Sequence, residues 1–379
     1  MAIVRGRAEL MGLREEWDKL LDRMPRASPF LSWDWIQAWW EEFGPGTQMY
    51  VITARRALGE LVGVAPLHVV RRWICGVVRI RRLEFIGYRG SGVCADHLDF
   101  LAPPEEREVV ARALAATAWQ HRSEWDEWDL ADLAEDSSVP EAWAAAGGEL
   151  GQVREAGEVC YYLPLPATVD ELWDQLRQRH PRTVANLGRD RRRLERRHRV
   201  RLSAVKGAGE VAATMAALAE LHGAAQARRG GAGNFHRPGY RRFHQRLVAR
   251  LQGRETLYLA RMDCGPRPVA VLYGYCRGGV LYFYQSGFDT AMASDGVGRL
   301  LLAWVLEDAV ERLQAHEFDF LRGPEQYKTL WAPAARHTQR WRGWRANAAG
   351  RLARLDWRAR RQLAPWRARL RGRRVEGAR

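Results

Sequence analysis

Three side chains that can move protons or hold charge stand within four residues in the stretch FDFLRGPEQYKTLWAP, Phe318 to Pro333. The stretch begins like a short buried strand, breaks at Arg-Gly-Pro, and then presents Glu325, Tyr327 and Lys328. An acid, a phenol and an amine could supply the base, the proton donor and the charge holder of a group transfer. The alternative is structural: an i,i+3 ion pair of about 0.3 kcal/mol between Glu325 and Lys328, with the phenol packed on the core.

A glycine turn before a long apolar helix is the second candidate site, in SGFDTAMASDGVGRLLLAW. The residues that lead into the helix are Gly296, Val297, Gly298 and Arg299. Glycines at a helix N-terminus let backbone N–H groups approach an anion, and the helix dipole favours negative charge there. Arg299 could add a charge-assisted contact. A phosphate or pyrophosphate is the expected ligand, and a plain strand-to-helix turn is the alternative.

Three further polar side chains are candidates for binding an acceptor. Asp96 lies in GSGVCADHLDF, at the start of a predicted strand, where it could bind or deprotonate the acceptor if the two halves of the chain face each other. Its alternative role is a turn cap. His222 and Arg228 lie on a predicted helix just before the glycine-rich GGAGNFHRP, which could shape a pocket.

The elements that must position these residues occur twice in the same order. Each half has a strand hairpin, a third strand, a helix of about four turns and an Asp-containing strand. WDEWDLADL in the first half corresponds to HEFDFLRG in the second. The sequence therefore predicts a mixed α/β (α+β) protein built from two tandem units, residues 1–155 and 156–340, with an Arg-rich tail at 341–379.

The predicted elements follow from apolar periodicity and turn residues. Helices are expected over 29–43, 105–120, 169–178, 184–197, 210–228 and 297–313. Strands are expected in MYVITARR, ELVGVAPLHVV, RRLEFIGY, DHLDFLAP, WDEWDLADL, ETLYLARMD, RPVAVLYGYC, GVLYFYQSGFD and EFDFLRG.

The net charge of +15 is confined to two segments. Fifteen arginines face two acids in residues 334–379, and ten arginines face two acids in residues 179–201, so the rest of the chain is mildly acidic. The run RDRRRLERRHR could hold coenzyme phosphates, an anionic glycan or lipid carrier, or RNA phosphates, although it lacks aromatic residues for base stacking. A solvated helix face is the alternative.

The tail has apolar residues at helical spacing, with Pro365 expected to kink or split the helix. The residues on this face are Leu352, Leu355, Ala359, Leu363, Trp366 and Leu370. A basic amphipathic helix could lie on an anionic membrane surface or on RNA, and a solvated tail is the alternative.

The five cysteines are scattered and form no C-x-x-C pair, which argues against a zinc site or a disulfide framework. No apolar run has the length of a signal peptide or of a spanning helix. The sequence therefore favours a cytoplasmic protein, peripheral to the inner face of the membrane if the tail binds lipid. It requires no metal, and the oligomeric state is left open.

The second half resembles the acetyltransferase domain of the CelD-like subgroup of GNAT proteins. These are similar to Fem-type transferases, which pair two GNAT-like domains in one chain. The resemblance covers roughly residues 25 to 340, and FDFLRGPEQYKTLWA is its most specific motif. The other matching stretches are FLSWDWIQAWWEEFG, VGVAPLHV, ADHLDFLAP and LRQRHPRTVANLGRDRRRLER.

The resemblance implies a donor site in which the turn from Gly296 to Arg299 cradles the pyrophosphate of acyl-coenzyme A, most simply acetyl-coenzyme A. Residues after the strand would face the acyl group, with Glu325 as base, Tyr327 as proton donor to the thiolate and Lys328 holding negative charge. The expected acceptor is an amine or hydroxyl of a small molecule or an envelope saccharide precursor.

Two alternatives remain. A Fem-type enzyme would use aminoacyl-tRNA, and the helix pair in LRQRHPRTVANLGRDRRRLERRH could match the helical hairpin of that class. A non-catalytic binding or membrane-scaffold protein could keep the fold without the chemistry. Since only the second half offers a convincing phosphate loop, we expect one donor site per chain.

Overall fold

One mixed sheet of twelve strands organises the computed structural model, which describes residues 1–87, 92–147 and 151–376, with side chains up to residue 363. The strands are β1 (Ala2–Val4), β2 (Gln48–Arg55), β3 (Leu61–Ile74), β4 (Val78–Phe85), β5 (Glu127–Leu133), β6 (Gln152–Pro164), β7 (Val200–Ala204), β8 (Leu257–Cys264), β9 (Arg267–Arg277), β10 (Val280–Phe288), β11 (Glu317–Arg322) and β12 (Ala334–Trp344).

Helices cover both faces of this sheet. They are α1 (Arg7–Gly12), α2 (Arg14–Asp22), α3 (Trp33–Phe43), α4 (Arg107–Gln120), α5 (Val139–Ala146), α6 (Val169–Arg179), α7 (Pro181–Arg197), α8 (Ala208–Arg228), α9 (Pro238–Leu251), α10 (Val297–Glu311) and α11 (Ala348–Glu376).

The two halves repeat one topology, as the sequence predicted. The sheet runs in the order β1-β2-β3-β4-β5-β12-β6-β11-β10-β9-β8-β7. In each half four antiparallel strands are followed by one parallel strand, β5 beside β4 and β11 beside β10. A parallel neighbour requires a crossover, and α4 and α10 supply it. The predicted mixed α/β class with two tandem units is confirmed.

The last strand of each half completes the sheet of the other half. Strand β6 ends the first half and pairs with β11, while β12 ends the second half and pairs with β5. The two exchanged strands also pair with each other. The predicted boundaries at 155/156 and 340/341 therefore fall inside two paired strands, and Trp344 of the predicted tail is fully buried. The two halves therefore form the middle of the sheet together, from strands β5, β12, β6 and β11.

Aromatic packing also joins the halves. The indole of Trp35 on α3 packs edge-on against Phe243 of α9 at 4.9 Å and against Tyr275 of β9 at 5.7 Å. The side chain of Ser32 accepts a hydrogen bond from the backbone N–H of Trp35 at 3.3 Å and caps α3. This core covers one face of the second-half sheet, and α6, α7 and α10 cover the other.

One predicted element is wrong. The stretch DHLDFLAP is not a strand, because it forms only two isolated bridges, Val64 to Leu101 and Leu98 to Leu133. The tail helix runs through position 365 as one element and is not split there. Tyr88, the end of the predicted strand RRLEFIGY, and residues 377–379 lie outside the described residues, as do the side chains of Trp366 and Leu370.

Candidate active site

The site begins at an opening between β10 and β11. These strands pair in parallel only from Val280–Tyr282 to Glu317–Asp319, and β10 carries an irregularity just beyond, between Phe283 and Gln285. Past Asp319 the described ladder ends. Strand ends of this kind, where a sheet separates, are where α/β proteins accept ligands.

The equivalent opening in the first half is filled by the chain itself. Strands β4 and β5 pair only at Arg82–Leu83 with Glu127–Trp128. Beyond that point the Leu98 N–H donates to the Asp132 carbonyl at 2.8 Å, and the Leu98 carbonyl accepts from the Ala134 N–H at 2.9 Å. The segment that we predicted as a strand is therefore a plug, which leaves the second-half opening as the better ligand site.

A histidine from the first half meets an aspartate at the mouth of the second-half opening. His97 Nε2 lies 3.0 Å from Asp319 Oδ2, and the Leu321 N–H donates to Asp319 Oδ1 at 2.7 Å. Arg336 of β12 also pairs with Asp319. The carboxylate is fully buried, whereas the imidazole keeps 11% of its surface exposed. Asp319 therefore orients an imidazole that is partly exposed.

The pKa values of this pair shift in opposite directions. Burial alone would raise the pKa of Asp319, but the neighbouring His97 and Arg336 cations and the hydrogen bonds lower it to about 2. Burial alone would lower the pKa of His97, but the Asp319 carboxylate outweighs it and raises that pKa. The imidazole is therefore a stronger base than a free histidine.

Asp96, predicted to bind substrate, instead fastens the end of β11 to the first half. Its carboxylate accepts the Arg322 N–H at 3.0 Å and pairs with the Arg322 guanidinium. The same guanidinium lies 2.9 Å from Asp132 and donates to the Ala95 carbonyl at 2.6 Å. Asp96 is only 1% exposed, so its predicted contact with an acceptor would require this network to open.

Three non-glycine residues with positive φ meet at this junction. They are His97 at 55°, Asp132 at 58° and Leu321 at 55°. A left-handed conformation is costly for a residue with a Cβ, by about 1 to 2 kcal/mol. Backbone strain of this kind persists where surrounding contacts enforce it and is concentrated at functional sites.

The motif after β11 separates into one buried and two accessible side chains. Lys328 is buried, and its Nζ donates to the carbonyls of Leu321 at 3.2 Å and Arg322 at 2.7 Å and lies 2.9 Å from Glu325 Oε2. These partners use the three donors of the ammonium group. Glu325 is exposed and Tyr327 is 42% exposed, so both can meet a ligand. Lys328 holds the loop, and its predicted contact with substrate would require one of these bonds to be exchanged.

The glycine turn has a left-handed residue at the start of α10. Gly296 has φ 73°, and a Cβ there would lie 2.8 Å from Asp190 Oδ2. Val297 is fully buried, so only its backbone can serve a ligand. Gly298 lies against the Phe288 ring, where a Cβ would come within 3.2 Å.

The arginine-rich helix α7 lies beside this turn. Arg299 pairs with Asp190 at 2.9 Å, and Arg193 pairs with Asp190 at 3.1 Å and with Asp295 at 3.2 Å. Arg197 reaches Asp295 at 3.5 Å. An anion at the turn would meet these guanidinium groups only by competing with the two carboxylates.

His222 and Arg228 lie beside the end of β10 that leads to the glycine turn. His222 Nδ1 is 3.1 Å from the Ser286 carbonyl, and burial lowers the pKa of its imidazole. Arg228 is exposed and donates to the Thr290 carbonyl at 3.4 Å.

A buried aromatic cluster forms the floor behind the opening. His244 Nδ1 lies 3.3 Å from the Tyr273 hydroxyl, and its Nε2 has no hydrogen-bond partner among the described residues. Burial lowers the pKa of His244 to about 3, so it is neutral. The Tyr284 hydroxyl accepts the Cys94 N–H at 3.3 Å, so the first-half segment before His97 touches both β10 and β11.

Residues 181–329 match the family model described as an acetyltransferase (GNAT) domain. The chain carries a GNAT-type acetyltransferase domain. The GNAT region contains the glycine turn, β10, β11 and the motif from Glu325 to Lys328, whereas His97 comes from outside it. Proteins of this family are transferases, and the predicted resemblance to GNAT proteins is confirmed.

Solved structures share the fold over nearly the whole chain. FemX is 11% identical with a TM-score of 0.56, covering 90% of this chain and 97% of its own. A conserved protein of unknown function from Bacteroides thetaiotaomicron is 12% identical with a TM-score of 0.55, covering 91% and 100%. The C-terminal domain of a putative lysylphosphatidylglycerol synthetase from Agrobacterium fabrum is 9% identical with a TM-score of 0.52, covering 91% and 95%. A search of curated protein sequences found no match.

Two features are absent from the described residues. No group of three or more His, Cys, Asp or Glu side chains in that part of the chain could hold a metal ion. Within the same residues no helix combines the length and apolar character that crossing a membrane requires.

Proposed function

We propose that this protein transfers an acyl group, acetyl foremost, from acyl-coenzyme A to an amine or hydroxyl of a small molecule or saccharide precursor. The observation that carries the proposal is the opening between β10 and β11 beside the left-handed Gly296, both inside the GNAT region. A pyrophosphate would bind the free N–H groups of the first turn of α10. The thioester would extend from there into the opening.

The reaction needs a base, an oxyanion partner and a proton donor. The acceptor nitrogen or oxygen attacks the thioester carbonyl, the carbon–sulfur bond breaks, and the acceptor proton passes to the base while the thiolate takes a proton. His97 and Glu325 are the two candidate bases, and we favour His97 because Asp319 orients it and raises its pKa. Tyr327 is the proposed proton donor, and Lys328 keeps the loop that carries it in place.

The saccharide acceptor rests on the CelD-like resemblance alone. A cytoplasmic site of action belongs to the same proposal.

Aminoacyl-tRNA is the second candidate donor. Helices α6 and α7 pack against each other and against α10, with most of their arginines exposed, and correspond to the helical hairpin of the Fem-type alternative. The FemX fold likeness is compatible with this donor. Arginine-rich helices bind RNA phosphates with strong salt dependence.

Calorimetric titration with acetyl-coenzyme A tests the proposal, with wild type, Gly296→Asp and Gly265→Asp compared. Both glycines have positive φ, 73° and 63°, but a Cβ at 265 meets nothing within 4 Å, so Gly265→Asp controls for backbone strain. We expect saturable binding to wild type and Gly265→Asp and none to Gly296→Asp, because the added carboxylate repels a pyrophosphate. Binding would justify an acceptor screen. Indifference to acetyl- and longer acyl-coenzyme A, with binding of aminoacyl-tRNA, would reject the first donor in favour of the second.

A further inference from the structure

Between residues 348 and 363 helix α11 has two apolar faces, and the described residues cover only one of them. The inner face packs on the sheet, where Ala353 is fully buried and the ring of Trp357 lies 5.0 Å from that of Trp344. The outer face exposes three leucines: Leu352 is 41% exposed, Leu355 59% and Leu363 48%. At 100° per residue these leucines lie on the side of the helix opposite Trp357. We call them the leucine stripe.

Ion pairs fix the direction in which the leucine stripe faces. Asp356 lies 2.8 Å from Arg72 of β3, and Arg361 lies 3.1 Å from Glu155 of β6. Together with the buried Ala353, these contacts prevent the helix from rolling to bury its leucines. The contacts of α11 with the sheet therefore keep the leucine stripe exposed.

Arginines border the leucine stripe. Arg351 and Arg358 are exposed on one side of it, and Arg360 is exposed on the other. Across residues 348–376 ten arginines face two acids, and the sequence continues the apolar spacing with Trp366 and Leu370. Leucines along one side with arginines along the borders are the composition of a helix that lies in a lipid interface.

The hairpin between β3 and β4, which packs beneath α11, adds apolar groups at the same end of the sheet. Its Ile74 and Ile80 share a small core with Ala353. Its tip exposes Val77 by 78%, and Trp73 is 57% exposed. Exposed arginines at 71 and 79 flank the tip. Tryptophan beside basic residues is typical of a membrane–water interface.

We propose that the leucine stripe, with its bordering arginines, binds an anionic phospholipid surface and holds the protein there. An RNA would pair with the arginines but would leave the leucines in water. A second copy seated on the stripe would bring the like-charged borders of two helices together, which is unfavourable. An anionic bilayer satisfies both requirements, because headgroups pair with arginine while leucines enter the acyl boundary. This inference does not depend on the proposed acyl transfer.

Vesicle co-sedimentation of the full chain tests the inference. The vesicles are phosphatidylcholine alone, or phosphatidylcholine with roughly one third phosphatidylglycerol. The variants are Leu355→Glu/Leu363→Glu, Arg351→Glu/Arg358→Glu and, as a matched control, Leu58→Glu, since Leu58 is fully exposed in the turn between β2 and β3. All five positions are exposed, so the variants should fold, and circular dichroism checks this.

We expect wild type and Leu58→Glu to sediment with the anionic vesicles and not with phosphatidylcholine alone. Both double variants should lose about tenfold or more of this binding, and raising the salt to about 0.5 M should weaken it for wild type. Unchanged binding by the leucine variant would overturn the proposal. So would the absence of vesicle binding, whether the arginines then bound RNA or the leucine variant abolished a self-association of the wild type.

Discussion

His97 Nε2 lies 3.0 Å from Asp319 Oδ2 across the junction of the two halves, although the two residues are 222 positions apart in the chain. The histidine belongs to the first-half plug and directly precedes Leu98, and the aspartate is the last residue of the β10–β11 ladder. Neither half alone contains the pair. The exchange of β6 and β12 places the halves in one sheet and so makes this contact possible.

Replacing His97 by Gln should reduce acyl transfer by about 100-fold, because a positioned general base contributes about that much or more. The wild-type rate should rise with pH through the pKa of His97, which lies above its ordinary value of 6.5, because only the neutral imidazole accepts a proton. The variant should lose this step. The measurement is kcat/KM against pH, followed by release of coenzyme A thiol with the best acceptor from the screen. His198→Gln, at an exposed position, is the control, and a His97 variant with the wild-type pH profile would exclude His97 as the base.

Replacing Glu325 by Gln separates the two candidate bases. The Glu325–Lys328 pair is exposed on its carboxylate side, so the substitution should change the free energy of unfolding by less than about 1 kcal/mol. If His97 is the base, the rate should fall less than about threefold, whereas a base at Glu325 would make the loss about 100-fold or more. Rates of Glu325→Gln and His97→Gln, compared under one condition, decide between them.

Replacing Lys328 by Met should act on stability instead. The substitution removes the donors to two buried carbonyls, of Leu321 and Arg322, at a cost of about 1 to 3 kcal/mol. Urea unfolding of the variant beside Glu325→Gln measures this difference. A Lys328 variant as stable as wild type but inactive would favour a direct role on substrate.

Asp319→Asn should destabilise the fold by about 1 to 3 kcal/mol, because it removes the buried charge that pairs with His97 and Arg336, while Arg336 keeps its pair with Glu317. The sign of the pH dependence of stability follows from the pKa shifts of Asp319 and His97. The folded pKa of Asp319 is lowered to about 2, so its contribution is present above the ordinary value of 3.8 and is lost as pH falls toward 2. The folded pKa of His97 is raised from 6.5, so its contribution is complete below that pH and is lost as pH rises through the folded value.

The difference between wild type and Asp319→Asn should therefore be greatest between about pH 4 and 6.5 and smaller on either side. Urea denaturation across this range measures it. Asp174→Asn is the control, since Asp174 is exposed and pairs with Arg177 on the same helix. An offset independent of pH would mean that the His97–Asp319 pair carries no linked protonation.

Local sequence patterns predict most of the helices and hairpins but not the strand exchange in the middle of the sheet. Alternation and turn residues identify both hairpins, and periodicity identifies α3, α4 and α10. Strand β12 escapes because Arg336, Arg340 and Arg342 give it the composition of a solvated tail. Those charges are neutralised by acids from other strands, since Arg340 and Arg342 pair with the buried Asp129 of β5. A local stretch of sequence does not contain both the arginine and the acid that neutralises it, so their pairing cannot be predicted from local composition.

One signal in the sequence does point to the centre. Strands β5 and β11 share the pattern Glu-aromatic-Asp, at Glu127 to Asp129 and Glu317 to Asp319, and both aspartates are fully buried against arginines of β12. A buried acid requires a cation, so the repeated pattern predicts two missing basic partners. The site was missed at His97 for a different reason: its role depends on a contact between halves that no repeat reveals.

Truncation distinguishes the central strand from the helix that follows it. A chain ending at Pro333 lacks β12, and the central strands β5 and β6 then lose their shared neighbour and the cations that neutralise Asp129 and Asp319. We expect this chain to be insoluble or unfolded. A chain ending at Leu363 keeps β12, the buried Trp344 and the described contacts of α11, and should unfold within about 3 °C of the full chain. Circular dichroism melting of the two purified chains makes the comparison. A folded chain ending at Pro333 would show that the halves form complete sheets without strand exchange.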